Sequence, residues 1–202
     1  SDPDLGADAA EFFNAITGFS RPHKFRKLEM APTGMRKKFL DMIAIETANA
    51  KQGVRAFLRA KVNSLADSEI IESLYKASEA GVKVELNVRG ICCLRPGIKG
   101  YSRNIRVVSL IDRFLEHARI FHFCHGGDER VFISSADWMP RNLDKRIELL
   151  VPVESAVAKE RLISQLGAYF EPNDKAYELD SEGEFSRVKG NRSGLPNTQL
   201  GF

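Results

Sequence analysis

Between residues 117 and 142 the chain gathers side chains suited to phosphate. These are His117 and Arg119 and then, beyond the glycine turn Gly126-Gly127, Ser134, Ser135, Asp137, Arg141 and Asn142. An imidazole can pass a proton or a phosphoryl group, while guanidiniums, hydroxyls and an amide supply donors to oxyanions. His117 and Arg119 sit two apart at the start of a strand-like run, so their side chains share a face. Ser135 and Asp137 do the same where a partner run ends. A hairpin pairing Arg119–Cys124 with Arg130–Ser134 would bring all four to one end.

Plainer readings stand beside these. His117 also fits a helix terminus, where a cation is favoured, and Arg89 fits a snorkelling surface charge. The place of Arg89 at the carboxyl end of an apolar strand, just before Gly90, points instead to phosphate binding. Lys61, Asn63 and Ser64 either bind anions or form the turn before the next helix. His122, Cys124, His125 and Asp128 mimic metal ligands, but His122 and Cys124 would share one face of an apolar strand with no second ligand group. No metal site is therefore expected in this chain. Cys92 and Cys93 read as small buried hydrophobes, and Trp138 as packing. There is no GxxxxGK(S/T) loop and no kinase-type glycine loop, so phosphoryl chemistry here needs another arrangement.

These groups need a scaffold, and the hydrophobic pattern predicts one. A helix runs over Leu5–Ile16, a short strand over Phe25–Ala31 stops at Pro32, and Thr33 caps a long helix ending near Gly53. A strand over Val54–Val62, a helix capped by Asp67 and closed at Gly81, and a strand over Val82–Val88 make a right-handed crossover unit with parallel strands. The glycine- and proline-containing loop 89–104 then leaves the carboxyl end of the sheet, where ligands of α/β proteins sit. A strand over Ile105–Leu110, a helical turn over Ile111–Glu116, the hairpin, a strand over Lys145–Val153 and a helix over Ser155–Tyr169 follow. The fold expected is α/β, with a mixed, largely parallel central sheet flanked by helices.

At 202 residues, with 43% apolar content, the chain suffices for one domain of ordinary size. No apolar run approaches the roughly 18 residues of a membrane span and no signal peptide is visible. Three cysteines make no disulfide framework, so the expected location is cytoplasmic, with at most peripheral contact to the inner membrane. The net charge of +3 is too mild to demand a polyanion partner. Basic residues nevertheless concentrate before residue 40 and between Arg89 and Arg119, whereas acidic ones dominate 171–184.

Three segments, Leu86–Gly97, Arg113–Arg119 and Ser134–Asp144, strongly resemble in order the C-terminal region of bacterial polyphosphate kinases. The resemblance is close over residues 1–155 and continues through 180. It implies that residues 24–180 form a phospholipase D-like half; spacing and composition make residues 1–23 an entry helix and linker and 181–202 a flexible polar tail. The HxK and GSxN signature of phospholipase D would here read His117-x-Arg119 and Ser134-Ser135-x-Asp137. The resemblance implies reversible transfer of the terminal phosphate of ATP to inorganic polyphosphate, through a phosphohistidine and with Mg2+. It places the nucleotide-contacting arginine on Arg89 and an assisting acid or base on His117. The phosphorylated histidine and the Mg2+ ligands would lie upstream, so Ser1–Leu5 reads as a cut at a domain boundary and the fragment alone as inactive. The implied partners are ATP or ADP, polyphosphate, the upstream domains and further copies of the enzyme; no nucleic acid is expected. Two other readings stay open, a phospholipase D-like phosphodiesterase or nuclease and a non-catalytic polyanion-binding module. The candidate catalytic residue is His117, and the candidate phosphate ligands are Arg89, His117, Arg119, Lys61, Asn63, Ser135, Arg141 and Asn142.

Overall fold

The computed structural model describes residues 2–18, 24–111, 113, 116–171 and 175–188. In chain order the elements are α1 (Pro3–Ile16), β1 (Glu29–Ala31), α2 (Met35–Lys51), β2 (Phe57–Val62), α3 (Ser68–Glu79), β3 (Lys83–Val88) and β4 (Ile105–Leu110). They continue with β5 (Ile120–Phe123), β6 (Arg130–Ser134), α4 (Pro140–Asp144), β7 (Glu148–Pro152), α5 (Ala156–Ala168), β8 (Ala176–Leu179) and β9 (Phe185–Arg187). The strands form one sheet in the order β1-β7-β6-β5-β2-β3-β4-β8-β9.

Alternation along the central strands divides two cores. Leu58, Ala60, Val62, Val84, Leu86 and Val88 are buried with Phe39 and Ile43 of α2 and Ile70 and Leu74 of α3. On the opposite face Val108, Ile120 and Val131 pack with Leu166, Tyr169 and Phe170 at the end of α5. Asp67 caps α3 by accepting from the Ile70 amide at 3.1 Å. The buried carboxylate of Asp8 ties α1 to the approach to β1, accepting from the amides of Arg26, Lys27 and Leu28 at 2.9, 2.7 and 2.9 Å.

The mixed sheet flanked by helices, with β2-α3-β3 as its crossover unit, matches the sequence pattern. The expected predominance of parallel strands does not hold. Two of the eight pairings, β2 with β3 and β3 with β4, are parallel, and the other six are antiparallel. Connections set this: hairpins join β5 to β6 and β8 to β9, and the link from β4 to β5 is too short to carry the chain back across the sheet.

Smaller differences have local causes. β1 begins only at Glu29 because the amides before it are taken by Asp8 rather than by a neighbouring strand. Thr33 does not cap α2: its hydroxyl donates to the Met30 carbonyl at 3.2 Å, and Gly34 occupies the cap position. The helical turn expected at Ile111–Glu116 falls partly on residues 112, 114 and 115, outside the described ones. β9 lies within the stretch read from sequence as a tail, paired with β8, which in turn pairs with β4; residues 189–202 are outside the described ones.

Candidate active site

The carboxyl ends of β2 and β3, the start of β5 and the end of β6 meet at one edge of the sheet. The register makes this explicit, since Lys61 pairs with Asn87 on one side and with Ile120 on the other, and Ile120 pairs with Ile133. Residues just beyond these positions must therefore converge. Asn63 follows β2, Arg89 follows β3, His117 and Arg119 precede β5, and Asp137 follows β6.

A continuous set of hydrogen bonds joins them. The buried Asp137 carboxylate receives Arg119 bidentately, Nε to Oδ1 at 3.1 Å and Nη2 to Oδ2 at 3.0 Å, and also accepts from the Asn63 amide at 2.7 Å. Arg119 Nη1 donates to the carbonyl of His117 at 3.1 Å. Asn63 Oδ1 accepts from Arg89 Nε at 3.1 Å. Thus Arg89 and the backbone of His117 are connected through Asn63, Asp137 and Arg119. Burial pushes the Asp137 carboxyl up, but the Arg119 guanidinium and the Asn63 and Ser64 amides outweigh it and hold the group below the usual carboxylate range.

Gly90 is required at this junction by close approach. Its amide donates to the Asn63 carbonyl at 2.7 Å, and a Cβ at this position would stand 2.9 Å from that same oxygen. Just beyond, Leu65 forms bridges to Cys92 and to Trp138, and the Trp138 carbonyl accepts from the Ala66 and Asp67 amides at 2.8 and 2.9 Å. Trp138 is fully buried against Phe39 and Phe121, so its role is packing, and it anchors its neighbour Asp137.

A second group holds the segment around His117 from beneath. The buried ammonium of Lys61 lies 3.3 Å from the Ala118 carbonyl and 3.5 Å from Glu116 Oε2, with the Tyr169 ring centroid at 5.6 Å. The Tyr169 hydroxyl donates to that same Glu116 oxygen at 2.6 Å. Burial pulls the Lys61 ammonium below its ordinary range, with Glu116 partly opposing, while burial and the bond to Glu116 both push the Tyr169 phenol up.

The candidate ligands divide accordingly. His117 is exposed and Arg89 half-buried, and among the described residues neither the imidazole nor the Arg89 Nη nitrogens have a partner. Both are available to a ligand. Arg119 lies beside them, closed onto Asp137. Lys61 and Asn63 are turned to internal partners, so their place is under the site rather than in it. Ser135 Oγ accepts from the Leu149 amide at 3.0 Å, and the buried Asn142 donates to Glu148 at 2.6 Å. Arg141 is exposed on α4 and makes no bond to the cluster. Glu116 and Tyr169 were not legible as site residues, because 53 residues separate them and no local pattern links them.

Among the described residues no group of three or more His, Cys, Asp or Glu is placed to hold a metal ion. His122 is buried edge-on to Phe57 at 5.0 Å, and Cys124 Sγ donates to the Arg55 carbonyl at 3.3 Å. Burial raises the Cys92 thiol to about 11, consistent with an inert half-buried side chain.

The sheet and its helices define a phospholipase D-like fold. The phospholipase D family member Nuc from Salmonella typhimurium superposes with a TM-score of 0.55 at 14% identity, covering 77% of this chain and 97% of that one. The chain itself belongs to the family described as polyphosphate kinase C-terminal domain 2, whose model matches residues 28–199. A polyphosphate kinase from Rhodopirellula baltica is 54% identical over 192 residues, 95% of this chain and 22% of that protein. The crystal structure of polyphosphate kinase from Porphyromonas gingivalis gives a TM-score of 0.92 at 41% identity, covering 98% of this chain and 30% of that one. The chain thus spans less than a third of the length of these two relatives. No helix of the described residues is long and apolar enough to cross a membrane.

Proposed function

We propose that this chain is the C-terminal catalytic part of an ATP:polyphosphate phosphotransferase. The enzyme moves the terminal phosphate of ATP onto a polyphosphate chain, giving ADP and a chain one unit longer, and runs in reverse. The observation that carries the reading is the bonded path from Arg89 to the backbone of His117, which ties a guanidinium to the loop bearing an imidazole while leaving both side chains open to a ligand. In phosphoryl transfer most of the catalysis is positioning and neutralisation of spread negative charge. Arg89 binds phosphate oxygens of the nucleotide. His117 gives a proton to, or takes one from, the oxygen on which charge changes, the work an imidazole does near neutral pH. Arg119, neutralised by Asp137, positions the His117 backbone.

The rest of the active site is proposed to come from elsewhere in a longer polypeptide, together with any ligands for Mg2+. Assembly of that enzyme as a homo-oligomer, and its cytoplasmic location, belong to the same proposal. A phospholipase D-like phosphodiesterase or nuclease is disfavoured because the guanidinium in the signature position is closed onto Asp137.

The test is polyphosphate synthesis from ATP by the full-length enzyme. Arg89→Ala is expected to raise the KM for ATP about tenfold or more, the loss of a charge-assisted bond to phosphate. An unchanged KM would refute the assignment of Arg89. A module that merely binds polyanions would instead lose affinity steeply with salt and be indifferent to His117→Ala.

A further inference from the structure

The loop bearing His117 is held at three successive residues. Glu116 takes the Tyr169 hydroxyl and lies near the Lys61 ammonium, the His117 carbonyl takes Arg119, and the Ala118 carbonyl takes Lys61. The Arg119 contact comes from the sheet edge already described. The other two come from the opposite core, where Tyr169 closes the last turn of α5 with 2% of its surface exposed. We propose that Tyr169 is a positioning residue for His117, acting through Glu116 with Lys61 as the second point of the clamp. The inference rests on the reading of His117 as the proton-transferring group.

Several observations favour a positioning role over simple packing. An aliphatic or phenylalanine side chain would fill the same apolar pocket beside Leu166 and Phe170, yet the residue carries a hydroxyl directed at a carboxylate one residue before His117. Lys61 is buried to 1% exposure, and its two polar contacts, Glu116 and Ala118, are the residues on either side of His117. A buried charge is retained at a stability penalty, which specificity of position can explain. The phenol is held firmly protonated by burial and by Glu116, so it remains a donor throughout the working pH range. Neither polar end is exposed to a ligand, so the effect on catalysis must pass through the backbone of residues 116–118. Displacement of a catalytic group by about 1 Å can lower a rate on the order of a hundredfold.

Tyr169→Phe removes only the hydroxyl. In the full-length enzyme it is expected to lower kcat about tenfold or more with the KM for ATP held within about twofold. The double variant Tyr169→Phe with His117→Ala should be no slower than His117→Ala alone, because the hydroxyl acts only by placing that imidazole. The same kcat loss appearing again in the His117→Ala background would overturn the proposal. A second readout is independent of activity: the His117 ring resonances, followed by NMR in the chain, should shift in Tyr169→Phe and move little in a distant surface variant such as Val157→Ala. Unmoved His117 resonances also overturn the proposal. Moved resonances with unaltered turnover would leave the clamp standing and refute the role of His117 itself. Glu116→Ala, which deletes the acceptor of the Tyr169 hydroxyl, serves the same tests if Tyr169→Phe does not fold.

Discussion

Asp137→Ala tests the bonded path at its centre. The substitution deletes both bonds from Arg119 and the acceptor of the Asn63 amide. Breaking a buried ion pair by removing one partner is worth about 3–5 kcal/mol, and an orphaned buried donor alone about 1–3 kcal/mol. The Arg119 side chain is 19% exposed, against 10% for Asp137. Water can therefore rehydrate part of the guanidinium, which places the loss at the lower end, about 3 kcal/mol. In a domain of this size that corresponds to a fall in Tm of roughly 6–12 °C at pH 7. Asp137→Asn keeps an acceptor for Asn63 and loses the charge, so it should fall between wild type and Asp137→Ala.

The pH dependence follows from the depressed carboxyl. Its stabilisation is fully present above the unfolded value of about 3.9 and is lost as pH falls through the lower folded value. The gap between wild type and Asp137→Asn should therefore narrow as pH falls below about 3.9 and close only once it passes the lower folded value, where the protonated wild type comes to resemble the amide. Differential scanning calorimetry across this range measures both effects. A Tm for Asp137→Ala within about 1 °C of wild type at pH 7 would refute the reasoning.

Lys61→Met should lower the Tm, because it removes one partner of a buried pair and leaves the Glu116 carboxylate and the Ala118 carbonyl without the ammonium. It should also lower turnover of the full-length enzyme. Because the folded Lys61 ammonium lies below its unfolded range, wild type should gain stability relative to this variant as pH rises through the folded value; thermal melts between pH 7 and 10 check the sign. Gly90→Ala should lower both stability and ATP affinity, since its Cβ meets the Asn63 carbonyl at 2.9 Å and pushes apart the strand ends that set Arg89 against Asn63. About 1–3 kcal/mol is expected in urea unfolding, with a raised KM for ATP.

The crossover unit β2-α3-β3 was legible because each of its signals is local. Alternation in Val82–Val88, the Asp67 cap and Gly81 lie within a few residues of what they specify. The hairpin around Gly126-Gly127 was legible for the same reason, and with it the convergence of His117, Arg119 and Asp137. Strand direction beyond that unit depends on where each connection lands, which periodicity does not encode. β8 and β9 are short, with two and no buried residues respectively, so their pattern is faint in a polar stretch. Within the site, residue types were readable and commitments were not. Lys61, Asn63, Ser135 and Asn142 have the chemistry of phosphate ligands, and only the tertiary arrangement turns them toward Glu116, Arg89, Leu149 and Glu148. Tyr169 joins the cluster by folding α5 across the sheet, a contact with no sequence signature.

The central claim is that His117 takes part in phosphoryl transfer at this edge of the sheet. The direct measurement is steady-state transfer of the terminal phosphate of radiolabelled ATP to polyphosphate by the full-length enzyme and its His117→Ala variant. The account predicts a fall in kcat of about a hundredfold or more, with ATP affinity largely retained. Equal turnover by the two proteins would contradict it.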